Sequence, residues 1–329
     1  QGGGLYEITT FRTEGAYTDG RHPDEVHFVP DVREDLARRD FTINAMAYNA
    51  KEGLVDPFGG QADLQSGILR AVGVPHQRFT EDALRILRLY RFAARFGFSI
   101  DPPTAQAAQE LCAHLDCVSV ERIEEELAKL LSAPAPAAYL NEKILGVVLS
   151  ELSPEALAAA KPVVDACPAG EQALPVRLAA LLLSLGEDGT RRTLRRLRCS
   201  NACIEETAVL VREVVSGVPV SLNIYTCKLL GQYGLKTVQR LAALGTALQP
   251  EHAADFAALS ELAERLDADG VCCCVSQLAV NGRDLMAAGV PAGPGIRKIL
   301  EALLDGVIRE EYPNERQALL TAVQQLAAS

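Results

Sequence analysis

Two segments of the chain place paired opposite charges beside apolar positions that a fold would bury. The first runs from Asp35 to Met46 (DLARRDFTINAM), and the second from Glu81 to Arg85 (EDALR). Burying charge costs free energy unless the charge is paired or meets a ligand. We therefore expect the two segments to recognise a ligand or to brace each other.

The second segment opens a row of charged side chains at a spacing of three residues, formed by Asp82, Arg85, Arg88 and Arg91. Residues three apart on a helix are neighbours, so the carboxylate and the guanidinium groups would lie side by side. Asp82 could accept a hydrogen bond from the exocyclic amine of a base, and Arg85 could donate to its ring nitrogen or carbonyl. The later arginines could contact phosphates. A surface row of ion pairs without a ligand is the alternative.

The first segment lies where strand-like sequence gives way to helical periodicity. It combines a basic pair, a carboxylate and two neutral hydrogen-bonding side chains: Arg38, Arg39, Asp40, Thr42 and Asn44. A crevice between a sheet unit and a helical unit is a frequent ligand site.

The elements that must position these residues are mainly helices, and the predicted fold class is mostly α with a small N-terminal α+β part. Thr80 is predicted to cap a helix that runs to Phe96, with Glu81 and Asp82 in its first turn and Gly97 at its end. Strands are predicted at Leu5–Phe11 and Glu25–Val29, with a strand or helix start near Ile43–Tyr48 and turns at Asp19–Arg21 and Asp56–Gly60. Further helices are predicted near 103–115, 119–132, 154–160, 173–185, 188–199, 201–215, 222–232, 235–245, 251–267, 282–288, 295–308 and 314–327.

The composition describes a soluble globular chain with local basic clusters. Its 329 residues are 48% hydrophobic and carry a net charge of −11, which argues against general affinity for nucleic acids, DNA included. Arginines nevertheless concentrate in 70–95 and again in 191–198, a pattern that suits a polyanion held at defined places. In the second cluster Arg191, Arg192 and Arg195 are candidates for RNA binding, and a solvated helix face is the alternative.

Cysteines and apolar runs indicate the compartment. The nine cysteines are odd in number and lack paired CxxC motifs, so we expect reduced, mostly buried thiols. No apolar run is long enough to span a membrane, and no secretion signal is present at the first residues. These features predict a cytoplasmic protein without a membrane partner.

The motifs together resemble the class II nucleotidyltransferase family, which contains tRNA CCA-adding enzymes and bacterial poly(A) polymerases. The first 131 residues match this family almost continuously, as the following segments show. They are TTFR at 9–12, the DGR turn at 19–21, RRDFTINAMAYN at 38–49, DPFGG at 56–60, RFTEDALRILRLYRFAARFGF at 78–98 and ERIEEEL at 121–127. The resemblance implies the C-terminal part of a truncated nucleotidyltransferase head, followed by an all-helical neck, body and tail. The implied limits are 1–58, 59–134, 135–217 and 218–329.

The resemblance also assigns roles residue by residue. Its RRD element contacts the sugar and phosphates of the incoming nucleotide, and its EDxxR element selects C and then A. The implied nucleotide-binding residues are Arg39, Asp40, Asn44, Asp82, Arg85, Arg88 and Arg91, with Glu81 in support. The ERIxxE residues Glu121, Arg122 and Glu126 brace the neck.

One departure concerns the metal site. The family begins with a D-x-D strand whose carboxylates hold two Mg²⁺ ions for nucleotidyl transfer, and that element is absent from this sequence. Glu7 matches the position of a third carboxylate and could be a partial metal ligand. We therefore expect the metal-holding segment of the intact enzyme to precede Gln1, and the chain alone to be inactive.

The C-terminal pattern helps to choose within the family. LAVNGRDL at 278–285, GVPAGPGIRKILEALLDGVI at 289–308 and PNER at 313–316 resemble the tail of bacterial CCA-adding enzymes. Gly295 opens a helix whose N–H groups, with Arg297 and Lys298, could hold an RNA phosphate, while a simple turn between packed helices is the alternative. The implied function of the intact enzyme is addition of CCA to tRNA 3′ ends from CTP and ATP. A poly(A) polymerase and a non-catalytic RNA- or nucleotide-binding remnant are the rivals.

Overall fold

A computed structural model describes residues 9–14, 25–215 and 223–327 of the chain. Helices dominate it, which confirms the predicted fold class. The described residues up to Val211 form one compact unit, and those from Arg212 onward form a second. The predicted division into four parts stays a prediction.

Short strands occur only in the first 100 residues of the described chain, where they form three two-stranded sheets. Strand β1 (Arg12–Glu14) pairs antiparallel with β2 (Val26–Phe28), and β3 (Ala47–Asn49) forms a hairpin with β4 (Gly53–Val55). The other sheet is parallel and joins Ile68–Leu69 (β5) to Ser99–Ile100 (β6). Of the predicted strand Leu5–Phe11, the residues before Thr9 lie outside the described chain, as does the Asp19–Arg21 turn.

The helices of the first unit follow the predicted order with additions. Four were not predicted as separate helices: Val32–Ala37, Gly60–Ser66, Pro75–Glu81 and Glu142–Val148. Numbered in chain order, the helices of this unit are α1 (Val32–Ala37), α2 (Gly60–Ser66), α3 (Pro75–Glu81), α4 (Leu84–Phe96), α5 (Pro102–Glu110), α6 (Val120–Leu131), α7 (Glu142–Val148), α8 (Pro154–Ala166), α9 (Leu174–Leu182) and α10 (Gly186–Arg196), and α11 (Asn201–Val215) reaches the boundary with the second unit.

One prediction about the helix boundaries is wrong in a way that matters for the site. Thr80 does not cap a long helix; it lies inside α3, where its hydroxyl donates to the carbonyl of His76. Pro75 starts α3 earlier than predicted, because proline fits the first turn of a helix. The chain then breaks at Asp82, whose backbone is extended, and α4 begins at Leu84. Glu81 and Asp82 therefore end one helix instead of opening the next, while Gly97 ends α4 as predicted.

A buried arginine ties the middle of the first unit together. Arg177 on α9 has no exposed surface, and its guanidinium donates to the carbonyls of Leu131, Ala133, Pro134 and Cys167. Two of these carbonyls, at Leu131 and Cys167, belong to the ends of α6 and α8, where helices leave carbonyl groups unpaired. The cation thus stabilises two helix C-termini and the proline-rich link between them.

The second unit consists of helices packed around its own core. Leu285, Leu303 and Leu319 are fully buried there, with Val323 beside them. None of the helices in the described residues has the length and apolar character needed to cross a membrane. The helices of this unit are α12 (Asn223–Tyr233), α13 (Leu235–Leu248), α14 (Ala253–Ala268), α15 (Gly282–Ala287), α16 (Gly295–Ile308) and α17 (Arg316–Ala327).

Candidate functional site

The two charged segments meet at one open cavity of about 530 Å³ in the first unit. Its wall is polar and mostly cationic, which suits an anionic ligand. The lining residues are Arg38, Arg39, Asp40, Asn44, Asp82, Leu84, Arg85, Arg88, Phe92 and Arg122.

Backbone pairing fixes the first segment in place. The N–H of Thr42 donates to the carbonyl of Arg70 at 3.0 Å, and the N–H of Val72 donates to the carbonyl of Asp40 at 3.1 Å. A bridge between Phe41 and Ala71 lies between these bonds. The Thr42 hydroxyl also donates to Asp63 on α2 at 2.7 Å. These contacts around the isolated bridge at Phe41 hold the segment against residues 70–72, with Asp40 and Asn44 at the cavity.

A buried carboxylate on α1 orients the basic pair. Asp35 is only 4% exposed, and it accepts hydrogen bonds from Arg38 at 2.7 Å and from Arg39 at 3.4 Å. It also accepts from the backbone N–H of Arg12. Burial alone would raise the pKa of Asp35, but the hydrogen bonds from Arg38 and Arg12 outweigh it and lower the pKa below the ordinary value. Asp35 therefore stays ionised and fixes both arginines.

The break between α3 and α4 presents Asp82 to the cavity. One carboxylate oxygen of Asp82 accepts from the N–H of Leu84, the first residue of α4, at 3.1 Å. The other accepts from Arg122 of α6 at 2.8 Å. The sequence predicted that Asp82 stands in a helical row with the arginines. In the structure it lies instead on the extended link that precedes α4.

Arg85 follows on the first turn of α4 and is almost fully buried. Its guanidinium donates to Glu81 at 2.8 Å, to the carbonyl of Arg78 at 3.2 Å and to the carbonyl of Arg38 at 3.0 Å. Glu81 also pairs with Arg78 at 2.5 Å. A guanidinium has five N–H groups, so these three contacts fix Arg85 and leave N–H groups for a ligand.

The next turn of α4 carries a chain of ion pairs into the core. Arg88 donates twice to one oxygen of Asp40, at 2.9 and 2.6 Å, while Asn44 donates to the other oxygen at 3.1 Å. Burial opposes the charge of Arg88, but the carboxylate of Asp40 outweighs it and raises the pKa of Arg88. Behind it, buried Arg91 pairs with Glu126 of α6. The charged groups that face the cavity are therefore held by partners on α1, α3 and α6 and, for Arg88, by Asp40.

Most of the predicted nucleotide-binding residues come together at this cavity. Arg39, Asp40, Asn44, Asp82, Arg85 and Arg88 line it, and Glu81 supports Arg85 from α3. Arg91 is not on the wall but lies behind it against Glu126.

The predicted RNA-binding residues lie elsewhere. On α10, Arg192 and Arg195 are exposed, whereas Arg191 pairs with Glu187 and Glu205. On α16 of the second unit, Arg297 pairs with Glu301 and Lys298 is exposed. Their contact with RNA stays a prediction.

Sequence reasoning missed four residues of the site, one of which is Leu84, an apolar member of the cavity wall. The sequence pattern predicts that Phe92 is an ordinary core position of an amphipathic helix, although it lines the cavity. Arg122 was assigned only to the structural ion pairs of the neck, and it lines the cavity as well. Asp35 could have been found, because it precedes Arg38 and Arg39 by one helical turn.

The described residues do not fit the predicted Mg²⁺ site. Within 9–14, 25–215 and 223–327, no group of three or more His, Cys, Asp or Glu side chains is arranged to hold a metal ion. Glu7, the candidate partial ligand, lies outside the described residues.

Three protein-family models match the chain. The Poly A polymerase head domain covers residues 1–70, and the probable RNA and SrmB-binding site of polymerase A covers residues 97–142. The putative tRNA nucleotidyltransferase domain 2 covers residues 176–323. The matches follow one another along the chain in the order that the motifs predict.

Curated relatives and a solved structure agree with these matches. The CCA-adding enzyme of Lactiplantibacillus plantarum is 35% identical over 99% of this chain and 80% of its own length. The CCA-adding enzyme of Geobacillus stearothermophilus is 33% identical over 96% of this chain and 78% of its own length. The crystal structure of the Bacillus stearothermophilus CCA-adding enzyme in complex with CTP superimposes with a TM-score of 0.82 at 29% identity, covering 99% of this chain and 80% of that one.

A second solved structure shares the fold. The Thermotoga maritima CCA-adding enzyme complexed with tRNA matches with a TM-score of 0.56 at 22% identity, covering 90% of this chain and 74% of that one. The resemblance predicted from the motifs is confirmed by the curated relatives, and the chain belongs to the family of CCA-adding enzymes.

Proposed function

We propose that this protein adds C, C and A to the 3′ end of tRNA without a nucleic-acid template, and that the cavity selects CTP and then ATP. The observation that carries the proposal is the presence in one cavity of a fixed carboxylate, Asp82, and a fixed guanidinium, Arg85. These are the groups that can pair with the Watson–Crick edge of a base. The curated relatives at about 35% identity are CCA-adding enzymes, which supports the same reaction.

The hydrogen-bonding pattern explains which bases fit. Cytosine and adenine both present an exocyclic amine, which can donate to Asp82, next to a ring nitrogen, which can accept from Arg85. Uracil and guanine present a carbonyl oxygen in place of that amine. An oxygen facing the Asp82 carboxylate would leave two acceptors unpaired and desolvated, so UTP and GTP are rejected.

The rest of the cavity suits the sugar and the triphosphate. Arg39 is 44% exposed at the rim, and Arg88 is 33% exposed, so both guanidinium groups are open to an anion. Asn44 supplies a neutral amide beside them. We assign sugar and phosphate contacts to Arg39, Asp40, Asn44 and Arg88, and we keep Arg91 as the residue that orients this row from behind. In the reaction the 3′ hydroxyl of the RNA attacks the α-phosphate and pyrophosphate leaves.

Arg122 orients the carboxylate of Asp82. It holds Asp82 at 2.8 Å across the break between α3 and α4, so it sets the direction in which the carboxylate points. An uncompensated carboxylate at this position would swing toward water. We therefore assign Arg122 as a positioning residue for the base-selecting pair.

The wider assignments rest on the resemblance. Nucleotidyltransferases of this kind generally use a divalent metal ion, and Mg²⁺ remains the predicted cofactor of the intact enzyme. The tRNA would be held partly by Arg191, Arg192 and Arg195 on α10 and by Arg297 and Lys298 on α16. The nine cysteines all carry free thiols, as expected in the reducing cytoplasm where we place the protein.

A primer-extension assay tests the reaction. A tRNA transcript without its CCA end is incubated with the protein, CTP, ATP and Mg²⁺, and the products are resolved at single-nucleotide resolution. Addition of C, C and A, with no extension by UTP or GTP, is the expected result for the intact enzyme. A long tail made from ATP alone would identify a poly(A) polymerase instead. Binding of tRNA and CTP by the intact enzyme without any extension would identify a non-catalytic binding protein.

A further inference from the structure

A row of aromatic rings leads away from the cavity along α4. Phe92 lines the cavity, and its ring stacks against that of Phe96 at a centroid distance of 5.9 Å and an interplanar angle of 8°. Phe98 continues the row, 5.4 Å from Phe96 and tilted by 42°. We call the residues Arg88, Phe92, Arg95, Phe96 and Phe98 the aromatic stripe.

The stripe lies on one side of the helix and is open to solvent at its outer end. Positions 88, 92, 95 and 96 recur at helical spacing, so they share a face of α4. Phe96 is 44% exposed, and Arg95 beside it is exposed as well. The outer end of the stripe therefore presents an aromatic ring to solvent beside a cation.

Cations accompany the rings along the whole stripe. The guanidinium of Arg88 lies 5.3 Å from the centroid of the Phe92 ring, and that of Arg95 lies 5.7 Å from the centroid of the Phe96 ring. Alternation of aromatic rings with arginines is the arrangement by which proteins bind single-stranded nucleic acid, since bases stack on the rings and phosphates meet the cations. Arg88 at the inner end is already paired with Asp40 and assigned to the incoming nucleotide, whereas Arg95 at the outer end is exposed and can meet a phosphate of the RNA.

The length of the aromatic stripe matches a short single-stranded RNA segment whose end lies beside the incoming nucleotide. Arg88 and Phe96 are eight residues apart on the helix, which corresponds to about 12 Å at about 1.5 Å per residue. About three bases stacked at about 3.4 Å would cover that length.

We propose that the aromatic stripe binds the unpaired 3′-terminal bases of the acceptor RNA by stacking and so delivers the 3′ end to the cavity. This inference rests on the proposed function, because the strand must end where the incoming nucleotide is held. It adds a site for the substrate RNA that lies outside the base-selecting pair. Phe96 is its central residue, since it is the most exposed ring and contacts both of its aromatic neighbours.

Binding of two RNA probes tests the inference. Both are hairpins with the same acceptor-like stem; one ends in a few unpaired 3′ nucleotides and the other is blunt. Phe96→Ala is expected to weaken binding of the overhang probe about tenfold, with little change for the blunt probe. Phe96→Trp should preserve binding, and Phe96→Leu should behave like the alanine variant, because it keeps apolar volume without an aromatic face. Arg95→Gln should reduce the salt dependence of binding by about one phosphate contact.

A matched control is Tyr48→Ala, which removes another exposed aromatic ring, 74% accessible on β3. It should leave both probes unaffected. The inference is overturned if Phe96→Ala weakens both probes equally, if it changes neither, or if it instead dissolves a dimer seen by sedimentation of the wild-type protein. CTP affinity is measured in parallel: wild-type protein that fails to bind CTP would overturn the proposed function, whereas intact CTP binding with an unaffected overhang probe overturns the stripe alone.

Discussion

At the scale of single residues, the site consists of charged groups whose orientation is fixed by other charged groups. Asp35 holds Arg38 and Arg39, Glu81 holds Arg85, and Arg122 holds Asp82. Such pairs add little net stability when they are buried, but losing one partner leaves the other uncompensated. The supporting carboxylates should therefore matter for stability and not only for binding.

Asp35→Asn is expected to destabilise the protein by about 2–4 kcal/mol at neutral pH, because two arginines lose their ionised partner. The pKa of Asp35 is lowered in the folded state from its ordinary value of 3.8. Because the pKa is lower in the folded state, ionised Asp35 stabilises the fold at any pH above the pKa of the unfolded state. This stabilisation is lost as the pH falls through the pKa of the folded state. The free energies of unfolding of the wild type and of Asp35→Asn, measured in urea, should therefore approach each other below about pH 4.

The exposed Asp116→Asn provides the comparison for this experiment, and it should change stability by less than about 0.5 kcal/mol at any pH. The role assigned to the Asp35 charge would be contradicted if Asp35→Asn lowered the free energy of unfolding by the same amount at acid and at neutral pH.

At the scale of elements, the sequence predicts more helices correctly than it predicts their junctions. Apolar periodicity locates α6, α11 and α16 to within a residue or two, because each has one buried face. Periodicity did not predict the break at Asp82, because Thr80 followed by two acidic residues is a pattern typical of a helix N-terminus. A tertiary contact with Arg122 and a local bond from the N–H of Leu84 together hold Asp82 in an extended conformation.

The junction of α6, α8 and α9 offers a test at this scale. Arg177→Met should cost about 3–5 kcal/mol of unfolding free energy, because four carbonyls, three of them buried, lose this donor. Arg177→Lys should recover only part of this loss, since an ammonium group cannot reach all four. Urea unfolding measures both.

Arg192→Met on α10 is the matched control, as it removes an exposed arginine. Its unfolding free energy should stay within about 0.5 kcal/mol of wild type. If Arg177→Met is no more destabilising than this control, the guanidinium does not stabilise the helix ends.

At the scale of the whole molecule, each of the two compact units has a hydrophobic core of its own. Every residue of the candidate cavity belongs to the unit that ends at Val211, whereas the core around Leu285 belongs to the unit that begins at Arg212. Six of the seven nucleotide-binding residues that the motif resemblance implies line the cavity, and their role in binding stays a prediction. The resemblance predicts the supporting contacts less well, since Asp35 and Phe92 depend on packing between distant segments.

Leu285→Ala should therefore lower the stability of the second unit without weakening nucleotide binding in the first. A fully buried leucine truncated to alanine costs about 2–5 kcal/mol. Hydrogen exchange should become faster in amides after Arg212, while the CTP affinity measured by calorimetry should stay within about twofold of wild type. A parallel fall in CTP affinity would show that the two units do not act separately.

The base-selecting role of Asp82 can be measured by calorimetric titration of CTP and UTP into the wild-type protein and into Asp82→Ala, with the exposed Asp267→Ala as the control. We predict that wild type and the control prefer CTP over UTP by about 10- to 100-fold, because the amine of cytosine pairs with Asp82, and that Asp82→Ala binds both nucleotides about equally. Equal binding of CTP and UTP by the wild-type protein, or an unchanged preference in Asp82→Ala, would contradict the assignment of this cavity as the nucleotide-selecting site.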